Sequence, residues 1–413
     1  MKKFNVGVIG LGGRGSWWVT DILATLHYVK VVGLCDVYQD RIDSTKEKLV
    51  ESGYEAPTVL TTYYRELIKS NEVEVVLVFS AWNNHFDSCL LAMNMKKPVG
   101  IEVGGAYSVE QCWELVRTYQ KTKTPFMMLE NCCYGEYELM ALKMAKSGLF
   151  GDIVHCDGSY AHDLRDEITR GNENRHYRFN EYKNRNCENY PTHEIGPIAK
   201  VLDINNGNRF ESLVSVSSCA RGLHQYIMDK EDLKEKYADV EFKQGDIVST
   251  TIKCANGATV SITLDTSLPR YYSRNFTVRG TKGMYEEATQ SVYIDGEDYS
   301  DSEWDWSPRF CNRKEYKDKW MHPIWKKYTE NGVKELGHFG HGGMDFLVID
   351  AFFEALANDL PMPVDVYDAA TWMVISALST KSVALGSQPV EFPDFTEGKW
   401  QHKTEEQDWK YKF

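Results

Sequence analysis

Three glycines and one aspartate, Gly10, Gly12, Gly15 and Asp36, carry the clearest chemical signal in this chain. Spaced Gly-x-Gly-x-x-Gly, the glycines suit a turn that must hold a pyrophosphate. Gly10 permits the tight bend, Gly12 lets backbone approach the phosphates, and Gly15 lets the following helix pack on the preceding strand. Gly13 and Arg14 lie inside the same turn. Unpaired N–H groups at the helix start then face the phosphates. Asp36 stands about 20 residues beyond the third glycine, where a carboxylate accepts from the adenosine ribose diol and repels a 2′-phosphate. The implied ligand is NAD(H) rather than NADP(H).

These residues need a strand before the turn and a helix after it. Phe4 to Ile9 is an apolar run that reads as a buried parallel strand, and apolar residues return at helical spacing from Trp17 to Leu26. A second strand, Lys30 to Cys35, ends in Asp36. Further along, the pattern predicts helices over 39–50 and 63–69, a strand over 74–79, a helix to Met95, a strand over 98–102, a helix over 109–121 and a strand over 125–129. Strands alternating with helices through short loops mean a doubly wound parallel sheet, an α/β fold. Ligands bind beyond the carboxyl ends of such strands. That rule gathers the Gly10–Gly15 turn, Asp36, Trp82, Asn83, Asn84, His85, Glu102, Val103 and Asn131 into one cofactor cleft.

The texture changes near residue 130. A helix over 136–147 leads to a strand over 153–160, and period-2 alternation follows at 213–217, 247–253, 258–264, 275–279 and 291–294. With Asn256-Gly257 turning between two of these runs, they read as an open, mainly antiparallel sheet in an α+β domain. Gly171 to Cys187 shows no period and reads as a loop. Helices over 344–357 and 369–385 close the chain. The expected division is a nucleotide-binding domain over 1–130 and a substrate and oligomerisation domain over 131–413, whose closing helices could pack back on the first.

A net charge of −13, from 47 basic against 60 acidic residues, argues against nucleic acid or an anionic membrane as partner. Ten cysteines lack paired spacing, so buried free thiols in a reducing compartment are expected, with no zinc site. His338 and His341 have metal-like spacing, but neighbouring glycines favour a helix-start motif, and no metal is expected. No room exists for a signal peptide before the first strand, and no apolar run approaches the roughly 18 residues of a membrane span. A cytoplasmic protein is the expectation. The open face of the second sheet needs cover, which implies a homo-oligomer, a dimer or higher.

A glycine-turn domain followed by an open sheet resembles the Gfo/Idh/MocA oxidoreductases. The strings Asn131-Cys132-Cys133-Tyr134, Gly158-Ser159-Tyr160-Ala161-His162-Asp163-Leu164-Arg165, Tyr190-Pro191-Thr192-His193 and His341-Gly342-Gly343-Met344-Asp345 are similar to glycoside hydrolase family 109 within that group. The resemblance implies an NAD-dependent α-N-acetylgalactosaminidase, with NAD held tightly and recycled. It implies oxidation at C3 of the sugar, elimination across C1–C2, addition of water and re-reduction. By motif, His193 falls on the catalytic histidine and Tyr160 on the tyrosine proposed as C2 base. His162, on the same face of a strand, is the other candidate for that base. Arg178, Tyr190, Pro191, Thr192 and Tyr272 fall on substrate contacts. The alternative is a sugar oxidoreductase or 3-keto-glycoside enzyme with net turnover of NAD. Against it, the strand-end loop reads Glu102-Val103-Gly104 with no lysine, and Asn189 stands four residues before His193 where the dehydrogenases tend to carry aspartate.

Overall fold

The computed structural model describes residues 2–300, 304–330, 340–404, 411 and 413. The chain forms two compact units, one from residues 1–131 with 334–371 and the other from 132–333 with 372–413.

In the first unit the strands are β1 (Phe4–Ile9), β2 (Val29–Cys35), β3 (Val59–Thr61), β4 (Val75–Val78), β5 (Val99–Ile101) and β6 (Phe126–Met128). They lie in the order β3-β2-β1-β4-β5-β6, all paired in parallel. This is the doubly wound arrangement expected, with a switch point between β1 and β4. The helices are α1 (Gly13–Trp17), α2 (Gln39–Glu51), α3 (Tyr64–Lys69), α4 (His85–Asn94) and α5 (Val109–Thr122). Val6, Val8, Val76, Leu77 and Val78 are buried, as strands covered on both faces require. A distant segment completes this core, since the Phe353 ring packs on Phe4 and Tyr28, and the Tyr28 hydroxyl donates to Asp350 at 2.6 Å.

Two details depart from the sequence pattern. The helix read over 17–26 begins as α1, widens into a π-turn at Trp18–Ile22 and tightens into a 3₁₀ turn at Leu23–Thr25. β3 went unforeseen because three residues are too few for periodicity to register.

The second unit contains α6 (Glu136–Lys146), β7 (Ile153–Ala161), α7 (Arg165–Thr169), α8 (Arg178–Asn184), α9 (Thr192–Val201), β8 (Phe210–Ser217), α10 (Gly222–Met228), α11 (Glu231–Tyr237), β9 (Ile247–Cys254), β10 (Thr259–Asp265), β11 (Thr277–Gly280), β12 (Gly283–Glu286), β13 (Ser291–Ile294), α12 (Arg313–Trp320) and α13 (Pro323–Glu330). After α14 (Met344–Asn358) of the first unit come α15 (Val366–Ala384), which enters the second unit at Trp372, and β14 (Val390–Glu391). The strand order is β13-β12-β11-β7-β10-β9-β8-β14. Every pairing is antiparallel except β7 with β10. That parallel pair was not expected. It follows from the helical connection α7–α9 between β7 and β8, which sets β8 running in the direction of β7; β9 turns back, and β10 turns forward again beside β7. β9 and β10 alternate buried and solvent-facing residues along their length.

The reading of Gly171 to Cys187 as a loop is corrected. It contains α8, which buries Arg178, Phe179 and Tyr182 on one face, a stripe too short to stand out by period. Eight of the ten cysteines are buried free thiols, while Cys219 and Cys311 are exposed. Among the described residues, no helix is long and apolar enough to cross a membrane.

Candidate active site

The glycine turn divides its work between the chain and a ligand. Gly10 has φ +93°, and a Cβ there would lie 2.4 Å from the Ser80 backbone nitrogen. A Cβ on Gly15 would lie 1.9 Å from the Gly10 carbonyl oxygen, so strand and helix touch backbone to backbone. Those two glycines serve the fold. Around Gly12 the nearest atom to a built Cβ is Arg41 Nη1 at 3.6 Å, and around Gly13 nothing lies within 4 Å. Among the described residues nothing demands glycine at these two positions; the open space beside the start of α1 is what a pyrophosphate needs. The residues present therefore fit a dinucleotide.

Asp36 is buried at the end of β2, where Oδ2 accepts from the Leu11 backbone N–H at 2.7 Å and Oδ1 from that of Tyr38 at 3.0 Å. Each carboxylate oxygen keeps a lone pair for a ribose hydroxyl. Arg41 Nη1 lies 3.7 Å from the same carboxylate, with its guanidinium over the Tyr38 ring at 4.9 Å.

Other predicted cofactor residues are engaged within the unit. Arg14 pairs through Nε with Glu102 at 2.9 Å, and through Nη1 and Nη2 with both oxygens of Asp345 at 2.9 and 2.7 Å. Asn131 Nδ2 donates to Asp345 Oδ1 at 2.8 Å, and His341 Nδ1 lies 2.8 Å from Oδ2. Glu102 also accepts the Val103 backbone N–H. Asp345 gave no chemical signal by sequence spacing, because it lies hundreds of residues from its partner. Burial pushes its carboxyl up, but the hydrogen bonds from Arg14 and His341 outweigh burial and hold it well below the usual range. His341 opens the turn that leads into α14, as the helix-start reading expected; His338 lies outside the described residues. Trp82 is buried, and its indole would meet a Cβ on Gly104 at 2.5 Å. Asn83 and Asn84 are exposed on a 3₁₀ turn. Buried His85 is held by the Ser80 carbonyl at 2.7 Å, and burial pulls it down to about 4, so it stays neutral.

In the second unit, β7 ends at Tyr160 and Ala161, and α9 opens with Thr192 and His193 just after Tyr190-Pro191. Tyr160, Tyr190 and His193 form an aromatic triangle. Ring centres lie 4.4 Å apart for Tyr160–Tyr190, 5.6 Å for Tyr160–His193 and 5.0 Å for Tyr190–His193. Tyr190 Oη and His193 Nε2 are 3.4 Å apart. The His162 ring lies 6.2 Å from that of Tyr160 and 5.3 Å from that of half-exposed Tyr272, edge-on to both. Pro191 and Thr192 are buried in the turn into α9.

Arg178, buried on α8, lies over the Tyr190 ring at 5.3 Å and pairs with Glu167. Burial opposes ionisation of Glu167, yet Arg178 and His176 hold its carboxyl below the usual range. Asn189 is buried and donates to Gln244 Oε1 at 3.1 Å, so a neutral, fixed amide stands at that position. All the residues expected at the substrate site thus lie in one cluster of one unit. Sequence reasoning missed Glu167 as the partner of Arg178, and Glu188 with Glu194 behind the triangle.

This chemistry agrees with what the chain is similar to. Residues 4–129 match the oxidoreductase family with an NAD-binding Rossmann fold, and residues 134–402 match the C-terminal domain of glycosyl hydrolase 109. An alpha-N-acetylgalactosaminidase of Tannerella forsythia is 37% identical over 421 residues, covering 96% of this chain and 87% of that protein. A glycosyl hydrolase family 109 protein of Parabacteroides distasonis is also 37% identical, covering 97% and 88%. Among solved structures, levoglucosan dehydrogenase in complex with NADH and levoglucosan superposes with a TM-score of 0.67 at 19% identity, covering 95% of this chain and 100% of that one. The scyllo-inositol dehydrogenase of Lactobacillus casei with bound NAD(H) gives 0.63 at 13%, covering 94% and 99%. These two likenesses show the fold. On identity and coverage together, the chain belongs to glycosyl hydrolase family 109.

Proposed function

We propose that this protein is an NAD-dependent glycosidase that hydrolyses a terminal α-N-acetylgalactosamine-type sugar. The observation that carries the reading is the Tyr160–Tyr190–His193 triangle, in a chain whose first unit has an open glycine turn and a strand-end aspartate. Gly12, Gly13 and Asp36 are the residues that would hold NAD. Bound NAD supplies the hydride acceptor for C3 of the sugar and gives that hydride back within each cycle.

His193 takes the proton of the C3 hydroxyl as that carbon is oxidised, the role a histidine fills near neutral pH. A ketone at C3 acidifies the C2–H bond, and Tyr160, or His162 beside it, removes that proton. Loss of the C1 leaving group and addition of water at C1 follow, and the same side chains return protons to C2 and to the C3 oxygen. Arg178 supplies positive charge beside the cluster, where oxyanion character develops on the sugar. A carboxylate pair flanking the glycosidic bond is not required by this route. A net dehydrogenase is disfavoured, because Glu102-Val103-Gly104 offers no lysine at the strand end and Asn189 offers His193 no carboxylate.

The relatives' names supply the sugar class, and the measurement that tests it uses an aryl α-N-acetylgalactosaminide. Release of the aryl group over many turnovers, without NADH accumulating in proportion, supports the proposal. NADH formed mole for mole with product overturns it in favour of an oxidoreductase. A homo-oligomer formed through the open sheet face is part of the same reading, supported by exposed Val216 on β8, which lies on the same face as Ser249 of β9 and Thr263 of β10; light scattering that returns a monomer removes it.

A further inference from the structure

Behind the aromatic triangle lies a pair of acids that the mechanism above does not use. Glu188 precedes α9 and Glu194 sits in its first turn, and both are buried. α9 rests directly on β7: a Cβ built on Gly158 would lie 3.0 Å from the Glu194 Cβ. That contact aims the Glu194 carboxyl at the seam between β7 and β10, where Tyr160 faces Leu264. Glu194 Oε2 accepts the Thr263 backbone N–H at 3.3 Å, and the same carboxyl takes the backbone N–H of Tyr160. Glu188 Oε1 accepts the Tyr190 N–H at 3.3 Å, and its carboxyl takes that of Leu264.

The remaining oxygens, Glu188 Oε2 and Glu194 Oε1, are fully buried and receive no N–H or hydroxyl donor among the described residues, and the two carboxyls are close enough to share a hydrogen bond if one of them is protonated. A carboxyl–carboxyl hydrogen bond needs a proton, because two carboxylates can only accept. The surroundings leave no cheaper solution. Tyr160 on β7, Tyr190 and Cys187 in the lead-in, and His193 on α9 are the titratable neighbours. Asp265 at the end of β10 turns to Arg270, and α15 presents the Ser379 hydroxyl, which accepts the Glu188 backbone N–H at 2.8 Å. No cation among these groups pairs with either acid. Two like charges at hydrogen-bond range in a dry site cannot both ionise.

We propose that Glu188 and Glu194 hold one proton between them, and that this shared proton fixes the Tyr160 end of β7 against the His193 end of α9. The pair is a positioning device. Losing the proton sets two anions against each other and opens the seam from which both side chains hang. This inference rests on reading Tyr160 and His193 as the reacting pair. Burial pushes both carboxyls up, so the sign of the pH effect is fixed. The stabilising protonated pair is present at low pH and is lost as pH rises above the ordinary carboxylate range.

The experiment has two arms on the full chain. Infrared spectroscopy of the native protein at neutral pH, without substrate, should show a protonated carboxyl stretch that disappears in Glu188→Gln and in Glu194→Gln. In the second arm, pH–rate profiles of kcat compare the native protein with Glu194→Gln and Glu194→Ala. The glutamine keeps a neutral donor facing Glu188, so its kcat near neutrality should stay close to native and its alkaline limb should move to higher pH. The alanine removes the tie, and a displacement of about 1 Å at the reacting groups costs on the order of 10²-fold. Absence of the carboxyl band, or a Gln variant whose alkaline limb coincides with the native one, overturns the proposal. If neither glutamine variant folds, the band in the native protein decides. Should His193→Ala prove fully active while the band persists, the reading of the reacting pair fails and the shared proton stands.

Discussion

Replacing Asp345 by asparagine changes a single functional group, yet it should loosen the nucleotide turn. Asp345 is fully buried, and each of its oxygens receives two contacts: Oδ1 from Arg14 and Asn131, Oδ2 from Arg14 and His341. An asparagine must aim its NH₂ at one of those sets of donors, whichever way it flips. It also leaves the Arg14 guanidinium, about two-thirds buried, with Glu102 alone. Breaking a buried pair by removing one partner costs about 3–5 kcal/mol, and the partial exposure of Arg14 places this case near 3 kcal/mol. For a unit of this size that is a fall of about 6–12 °C in its thermal midpoint. Because Arg14 lies in α1, at the mouth of the glycine turn, bound nucleotide should be lost as well. The assay is a thermal melt followed by measurement of nucleotide in the purified Asp345→Asn protein. Acid should narrow the gap: the depressed carboxyl stabilises the native protein above the ordinary aspartate range and loses that contribution as pH falls. A variant that melts within about 2 °C of native and keeps its nucleotide would refute the reasoning.

Other predictions follow from single contacts. His193→Ala should lower turnover by roughly 10²–10⁴-fold with fold and nucleotide content unchanged; a loss under about fivefold returns His193 to a structural role. Nucleotide released from the denatured native protein should be NAD, and recovery of NADP instead would show that Arg41, not Asp36, rules the ribose site. Gly15→Ala should prevent stable folding of the first unit, because the new methyl carbon would overlap the Gly10 carbonyl oxygen, whereas Gly13→Ala should fold and lose nucleotide affinity only. Equal behaviour of the two variants would contradict the division of labour within the turn.

The sequence was most readable where one physical requirement repeats. Apolar strands covered on both faces made β1, β2 and β4 visible, and the glycine turn with Asp36 is local, so its spacing survives in one dimension. β3 and β14 were hidden because two or three residues cannot show alternation, and β12 because Gly283-Met284-Tyr285-Glu286 has no apolar–polar alternation to read. The seven residues of α8 were hidden for a similar reason, since one buried face of Phe179 and Tyr182 spans little more than a turn. Parallel pairing of β7 with β10 depends on the path of a long connection, which no residue pattern encodes. At the site, Tyr160 and His193 were legible through motif resemblance alone. The ion and acid pairs of each unit were not: Arg14 with Asp345 in the first, and Arg178 with Glu167 and Glu188 with Glu194 in the second, are matched in space, and an acid gives no sign in sequence that it will be buried.

The central claim is that C2–H breaks and re-forms while hydride at C3 leaves and returns within one cycle. Hydrolysis of an aryl α-N-acetylgalactosaminide in D₂O tests it most directly. The account predicts deuterium at C2 of the released sugar and none at C3, with exchange and hydrolysis falling together in Tyr160→Phe. Hydrolysis that leaves C2 free of deuterium would contradict it.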